Sequence, residues 1–124
     1  VDNQLVPPQI WAQRIIILIA MLILIIGIGI AGIYWQRISD PYIREVLSLS
    51  GDAEKGRAMF QINCAGCHGL EANGSVGPSL IHVPKRKSKV GLIEQVISGK
   101  TPPMPKFQPT PQEMADLLSY LEKL

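Results

Sequence analysis

The chain has 124 residues, with 12 Lys and Arg against 10 Asp and Glu, a nearly balanced charge. Its apolar residues make up 47% of the total but are unevenly spread, so the chain reads as two unlike parts. Two cysteines and two histidines do not make the two ligand pairs from which structural zinc sites are usually built.

Residues 1–14 form a short N-terminal segment in which Pro7-Pro8 suit a helix start. Residues 15–35 then run from Ile15 to Trp35 without a charge. At about 1.5 Å per residue this stretch spans roughly 31 Å, the thickness of a bilayer core. Trp11 precedes it and Tyr34-Trp35 close it, where interfacial aromatics belong, and Arg14 and Arg37 bracket it. A buried core helix seldom runs this long without a polar residue. A cleaved signal peptide would have a shorter apolar region followed by a small-x-small site, which Ile30-Ala31-Gly32-Ile33-Tyr34-Trp35 does not offer. The segment is read as a retained transmembrane anchor.

Residues 36–51 read as a linker, broken by Asp40-Pro41. Apolar residues at 43, 46, 47 and 49 spell a short amphipathic helix from Tyr42 to Leu49, lying on the membrane or on the domain that follows. Fully extended, such a linker would reach roughly 55 Å at most.

Residues 52–124 carry the chemistry. A first helix is predicted over 52–63, with Gly56, Met59, Phe60 and Asn63 on its inner face. It runs into Cys64-Ala65-Gly66-Cys67-His68, which uses every cysteine in the chain. C-x-x-C-H is the signature of covalent haem attachment. On a helical turn the two sulfurs share a face and reach the two vinyl groups of one porphyrin. His68 falls on the same face, placed to ligate the iron from the proximal side. A redox-active C-x-x-C would instead follow a strand of a βαβ unit, and no such pattern is present. A domain of roughly 75 residues is marginal for a purely protein core, and a buried porphyrin supplies the missing apolar centre.

Gly77-Pro78-Ser79-Leu80 reads as a turn, and Lys85-Arg86-Lys87-Ser88-Lys89 is a basic run. A second helix is predicted over 89–98, with Ser88 as N-cap, Gly99 as stop, and Ile93, Val96 and Ile97 facing inward. The third helix opens on the capping box Thr110-Pro111-Gln112-Glu113 and continues with Met114, Leu117, Leu118 and Leu121 at helical spacing. No segment reads as a sustained strand.

A small haem carrier needs a second axial ligand. Met21 lies in the membrane stretch, and Met59 and Met114 read as core packing. Met104 lies between the second and third helices in Thr101-Pro102-Pro103-Met104-Pro105-Lys106-Phe107. Flanking prolines are expected to hold this segment extended and to remove competing donors. A thioether there is placed to meet the iron opposite His68, and Met/His ligation raises the reduction potential. His82, in the turn region after Gly77-Pro78, is the weaker alternative.

Gly56-x-x-x-Phe60-x-x-x-Cys64-x-x-Cys67-His68, then Gly77-Pro78-x-Leu80, Met104-Pro105 and a last helix with Tyr120, resembles a class I cytochrome c over residues 52–124. The resemblance implies an all-α fold: one N-terminal transmembrane helix, then a small class I cytochrome c domain packed around one covalently bound haem c. It implies thioethers at Cys64 and Cys67 and axial ligation by His68 and Met104. It implies that Gly56 lets the first helix cross the last closely near Tyr120, and that the Pro78 carbonyl accepts the His68 ring N–H. The retained anchor and short linker look like those of membrane-anchored cyanobacterial members, suggesting a thylakoid or plasma membrane.

Haem attachment on the far side of the membrane places residues 1–14 in the cytoplasm and the haem domain in the lumen or periplasm. The few flanking Lys and Arg lean weakly the other way, which a translocated domain tolerates. Single-electron transfer follows, without an enzyme's acid–base pair or nucleophile. The resemblance implies redox partners such as a cytochrome bc-type complex, a photosystem or a terminal oxidase, and no nucleic acid. Lys85–Lys89 could dock an acidic surface. The other readings are a structural or regulatory subunit of a redox complex, and a gas sensor in which Met104 dissociates.

Overall fold

The computed structural model describes residues 8–124. Pro7 and the first half of the expected 1–14 segment therefore lie outside the described residues. The helices follow in the order α1 (Pro8–Ile38), α2 (Pro41–Ser48), α3 (Ala53–Asn63), α4 (Ala65–His68), α5 (Lys89–Ser98) and α6 (Pro111–Leu121), with a 3-10 turn at Val83–Lys85. There is no strand among the described residues.

Two compact units result, divided between Gln36 and Arg37. The first is the body of α1, a helix of 31 residues that is long and apolar enough to cross a membrane. None of its most apolar stretch is buried, so it is no core helix of a soluble fold. The helix extends past 15–35 at both ends, because no breaker occurs between Pro8 and Asp40.

In the second unit, Asp40 caps α2 by accepting the N–H groups of Tyr42 at 2.9 Å and Ile43 at 3.3 Å. α2 packs on α6 with Ile43 and Val46 buried. Tyr42 Oη donates to the Pro109 carbonyl at 2.9 Å, fastening the helix at its start. Of the two sites anticipated for this amphipathic helix, the haem domain is the one it occupies. Its apolar face is narrower than the pattern indicated, since Leu47 and Leu49 stay exposed.

α3 and α6 make the main contact of the unit. Asp52 caps α3 through the N–H groups of Glu54 and Lys55. At the crossing, a Cβ on Gly56 would lie 2.0 Å from the Asp116 carbonyl oxygen, so only glycine permits the approach. One turn further, the Phe60 and Tyr120 rings meet at 5.3 Å, tilted by 50°. Asp116 is buried, and its Oδ1 accepts the Asp52 N–H at 2.7 Å and the Gln112 amide at 3.0 Å. Asn63, expected inside, is exposed, and Met59 is half-buried. At the C-terminal end of α3 the chain turns into α4, and the inner face ends with Phe60.

α5 begins with Ser88 Oγ accepting the Gly91 N–H at 3.1 Å and stops at Gly99, whose φ is +56°. Its buried residues are Leu92, Ile93 and Val96; Ile97 is half-buried. α6 opens on a reciprocal capping box between Thr110 and Glu113 and buries Met114, Ala115, Leu117, Leu118 and Leu121.

Candidate haem site

α3 delivers Cys64 to the site. The Cys64 N–H still bonds the Phe60 carbonyl at 2.8 Å, closing α3, while its own carbonyl accepts from Cys67 at 3.2 Å and His68 at 3.0 Å, opening α4. The motif is thus one helical turn. Both thiols are free; Cys64 is half-buried and Cys67 exposed. Burial, and then the neighbouring Cys67, push the Cys64 thiol up, so it remains protonated at neutral pH.

The loop after α4 is built around the motif. Gly77 N–H donates to the Cys67 carbonyl and Gly74 N–H to the His68 carbonyl, both at 2.7 Å, satisfying the acceptors at the end of α4. This brings Pro78 beside the imidazole, with His68 Nδ1 2.8 Å from the Pro78 carbonyl oxygen. A carbonyl only accepts, so Nδ1 carries the proton and Nε2 keeps a lone pair for a metal. A Cβ on Gly77 would lie 2.8 Å from His68 Cε1 and 2.9 Å from Nδ1. Glycine there is a condition of the ring's orientation.

Met104 lies in the connection from α5 to α6. The segment is not extended as expected. Thr101–Met104 fold into a turn in which the Pro102–Pro103 bond is cis and the Met104 N–H donates to the Thr101 carbonyl at 3.0 Å. The two prolines have no N–H, so Met104 supplies the next donor able to close the turn. Met104 is half-buried, with its Sδ 3.6 Å from Gln95 Nε2. The chain then rejoins α5 through the Phe107 N–H on the Val96 carbonyl at 3.0 Å. Met114 is 2% exposed in the core. His82 is exposed, with a φ of +57° and its N–H on the Leu124 carbonyl.

The basic run is partly consumed by structure. Arg86 donates to the carbonyls of Ser79 at 2.9 Å and Ile81 at 3.2 Å, holding the turn after Pro78. Lys89 pairs with Glu122 at 2.8 Å. Lys85 and Lys87 remain as exposed cations of the run. Sequence reasoning missed the parts played by Arg86 and Gln95; a polar side chain aimed at a loop carbonyl or sulfur leaves no periodic signal.

The residues present fit a covalently held porphyrin. Two free thiols stand on one helical turn beside a histidine with its distal nitrogen bare. Cys64, Leu80, Met104 and Phe107 pack against the core yet are only half-buried, leaving apolar surface for a large planar group to cover. No group of three or more His, Cys, Asp and Glu residues converges on a metal position among the described residues.

Residues 51–121 match the family described as cytochrome c oxidase, cbb3-type, subunit III. A cytochrome c-553-like protein of Synechocystis is 61% identical over 85 residues, covering 68% of this chain and 81% of that protein. Cytochrome c-L of Methylorubrum extorquens is 31% identical over 75 residues, covering 56% of this chain and 38% of that protein. The crystal structure of cytochrome cL from Hyphomicrobium denitrificans superposes with a TM-score of 0.52 at 28% identity, over 67% of this chain and 51% of that one. The chain belongs to the cytochrome c family, whose members carry covalently bound haem c and transfer electrons.

Proposed function

We propose that the chain is a membrane-anchored carrier of single electrons, working at the lumenal or periplasmic face of a thylakoid or plasma membrane. In this it resembles cyanobacterial cytochrome M. The observation that carries the reading is the His68–Pro78 hydrogen bond at 2.8 Å, which leaves Nε2 bare for iron. Cys64 and Cys67 would hold the haem through thioethers, and His68 and Met104 would ligate its iron. The haem supplies a one-electron iron couple when bound.

The chain's own residues set the terms of transfer. Pro78 fixes the imidazole tautomer and makes it a better donor. Met104 would supply the second protein ligand to the iron, which would leave no open position for substrate or oxygen and suit the chain to carry electrons. A neutral thioether ligand also favours the ferrous state.

The anchor narrows the choice of partner. Residues 41–48 are folded onto α6 and do not act as slack. Ser39 and Asp40 alone separate α1 from α2. Redox complexes of the same membrane, such as a cytochrome bc-type complex, a photosystem or a terminal oxidase, are therefore its partners. Lys85 and Lys87 offer cationic contacts to an acidic surface.

A redox-titrated absorption spectrum of the wild type beside Met104→Ala tests the ligand set. The wild type is expected to titrate as a one-electron couple with a far-red methionine–ferric band. Met104→Ala should lose the band and titrate at lower potential. An unchanged spectrum would remove Met104 from the iron.

A further inference from the structure

The connection from α5 to α6, residues 99–110, carries Met104, and both of its ends are tied to residues that come before α3. At its close, the Pro109 carbonyl accepts Tyr42 Oη at 2.9 Å, beside Thr110, the N-cap of α6. At its start, Lys100 Nζ lies 3.4 Å from Glu94 Oε2, and Arg37 Nη1 lies 3.4 Å from the same carboxylate oxygen. Arg37 is the first residue of the second unit, in the last turn of α1. The Glu94 side chain is only 15% exposed, so its two cations act on a charge partly withdrawn from water.

The connection needs such ties. No residue from 99 to 110 is fully buried, so core packing of its own does little to hold it, and its bonds to neighbours decide how readily it opens. Its middle lies close against α5: a Cβ on Gly99 would stand 2.9 Å from the Met104 carbonyl oxygen, and the Phe107 N–H donates to the Val96 carbonyl at 3.0 Å. Tyr42 reaches Pro109 from a firm seat, because the next turns of α2 bury Ile43 and Val46 against α6.

We propose that Tyr42 and Arg37 are positioning residues for the Met104 loop: the segment that follows the membrane helix straps both ends of the loop and slows departure of the thioether from the iron. This inference rests on Met104 being an axial ligand. A loop that swings away from the iron draws Pro109 from Tyr42 and Lys100 from the carboxylate that Arg37 holds, so both ties oppose the opening. The family match begins at residue 51, so the strap is an addition to the shared domain and not a part of it.

The test uses the full-length ferric holoprotein. Displacement of the thioether by imidazole is timed from the loss of the far-red band in the wild type, Tyr42→Phe, Arg37→Gln and the double variant. Ser88→Ala, which removes the N-cap at the opposite end of α5, is the control for stability lost elsewhere. Tyr42→Phe is expected to keep the band and exchange about fivefold faster, the effect of one neutral hydrogen bond. Arg37→Gln should exchange faster by less, since its side chain is half exposed and the pair is screened. The double variant should exceed either, and Ser88→Ala should exchange at the wild-type rate. Wild-type rates in Tyr42→Phe and the double variant, with the band present, would overturn the strap while leaving Met104 as ligand. An equal acceleration in Ser88→Ala would also overturn it, by reducing the effect to general stability. A wild type without the band overturns both.

Discussion

Replacing Gly56 by alanine adds one methyl group where α3 crosses α6. The new Cβ would sit 2.0 Å from the Asp116 carbonyl oxygen and 2.6 Å from its carbon. Ordinary contact begins near 3.4 Å, so the helices must part by about 1.4 Å at this point. Both obstacles are backbone atoms, and no rotamer change relieves them. Overpacking of this kind costs about 3 kcal/mol, the upper part of its usual range. Separation also weakens the hydrogen bond from Asp52 N–H to Asp116, which adds about 1 kcal/mol. Alanine recovers about 1 kcal/mol through its higher helix propensity. The net loss is about 3 kcal/mol, and in a unit of this size it lowers Tm by at least about 10 °C. Thermal unfolding of the holoprotein followed by far-UV circular dichroism measures it. A Tm within about 3 °C of wild type would refute the close crossing.

Substitutions at three further positions probe the surrounding packing. Tyr42→Phe removes the bond to the Pro109 carbonyl and should cost about 1 kcal/mol in denaturant unfolding; no change would mean that this bond does not fasten the start of α2. Burial, then the Glu113 carboxylate, raise the Tyr42 phenol, so this stabilisation is present below its unfolded pKa of about 10 and fades as pH rises through the folded value. Hydrogen bonds from the backbone N–H and then the hydroxyl of Thr110 hold the Glu113 carboxyl below its ordinary range. The stability from that shift is present above the unfolded pKa of about 4.3 and disappears as pH falls through the folded value. The gap in Tm between wild type and Glu113→Gln should therefore shrink in acid; a gap constant with pH contradicts the assignment. Asp116→Ala strips the buried acceptor from the Asp52 N–H and should cost about 1–3 kcal/mol, with Asp116→Asn recovering part of it. Equal stability of all three forms would show that the buried carboxylate does not join α3 to α6.

Local rules made α5 and α6 readable from the sequence. Ser88, Gly99 and the Thr110–Glu113 box are short-range signals, and the helices begin and stop where those residues place them. The motif turn was legible for the same reason, since Cys64 to His68 close on one another. The seat of α2 was not legible, because an amphipathic face says that something covers it without saying what. Nor was the Met104 turn, where two prolines admit either an extended or a folded path and the donor of Met104 decides. Arg86 read as one charge in a basic run, yet its two bonds to loop carbonyls depend on where the turn after Pro78 falls in space. Leu92 was missed on α5 because the face buried there is wider than one stripe of the helix.

The central claim is that the iron is closed on both sides by His68 and Met104 and therefore carries electrons only. Exposing the reduced, full-length protein to carbon monoxide at neutral pH tests this most directly. The account predicts an absorption spectrum identical with and without the gas. A shifted Soret band in the wild type would show that the sixth position opens, and would contradict a closed electron carrier.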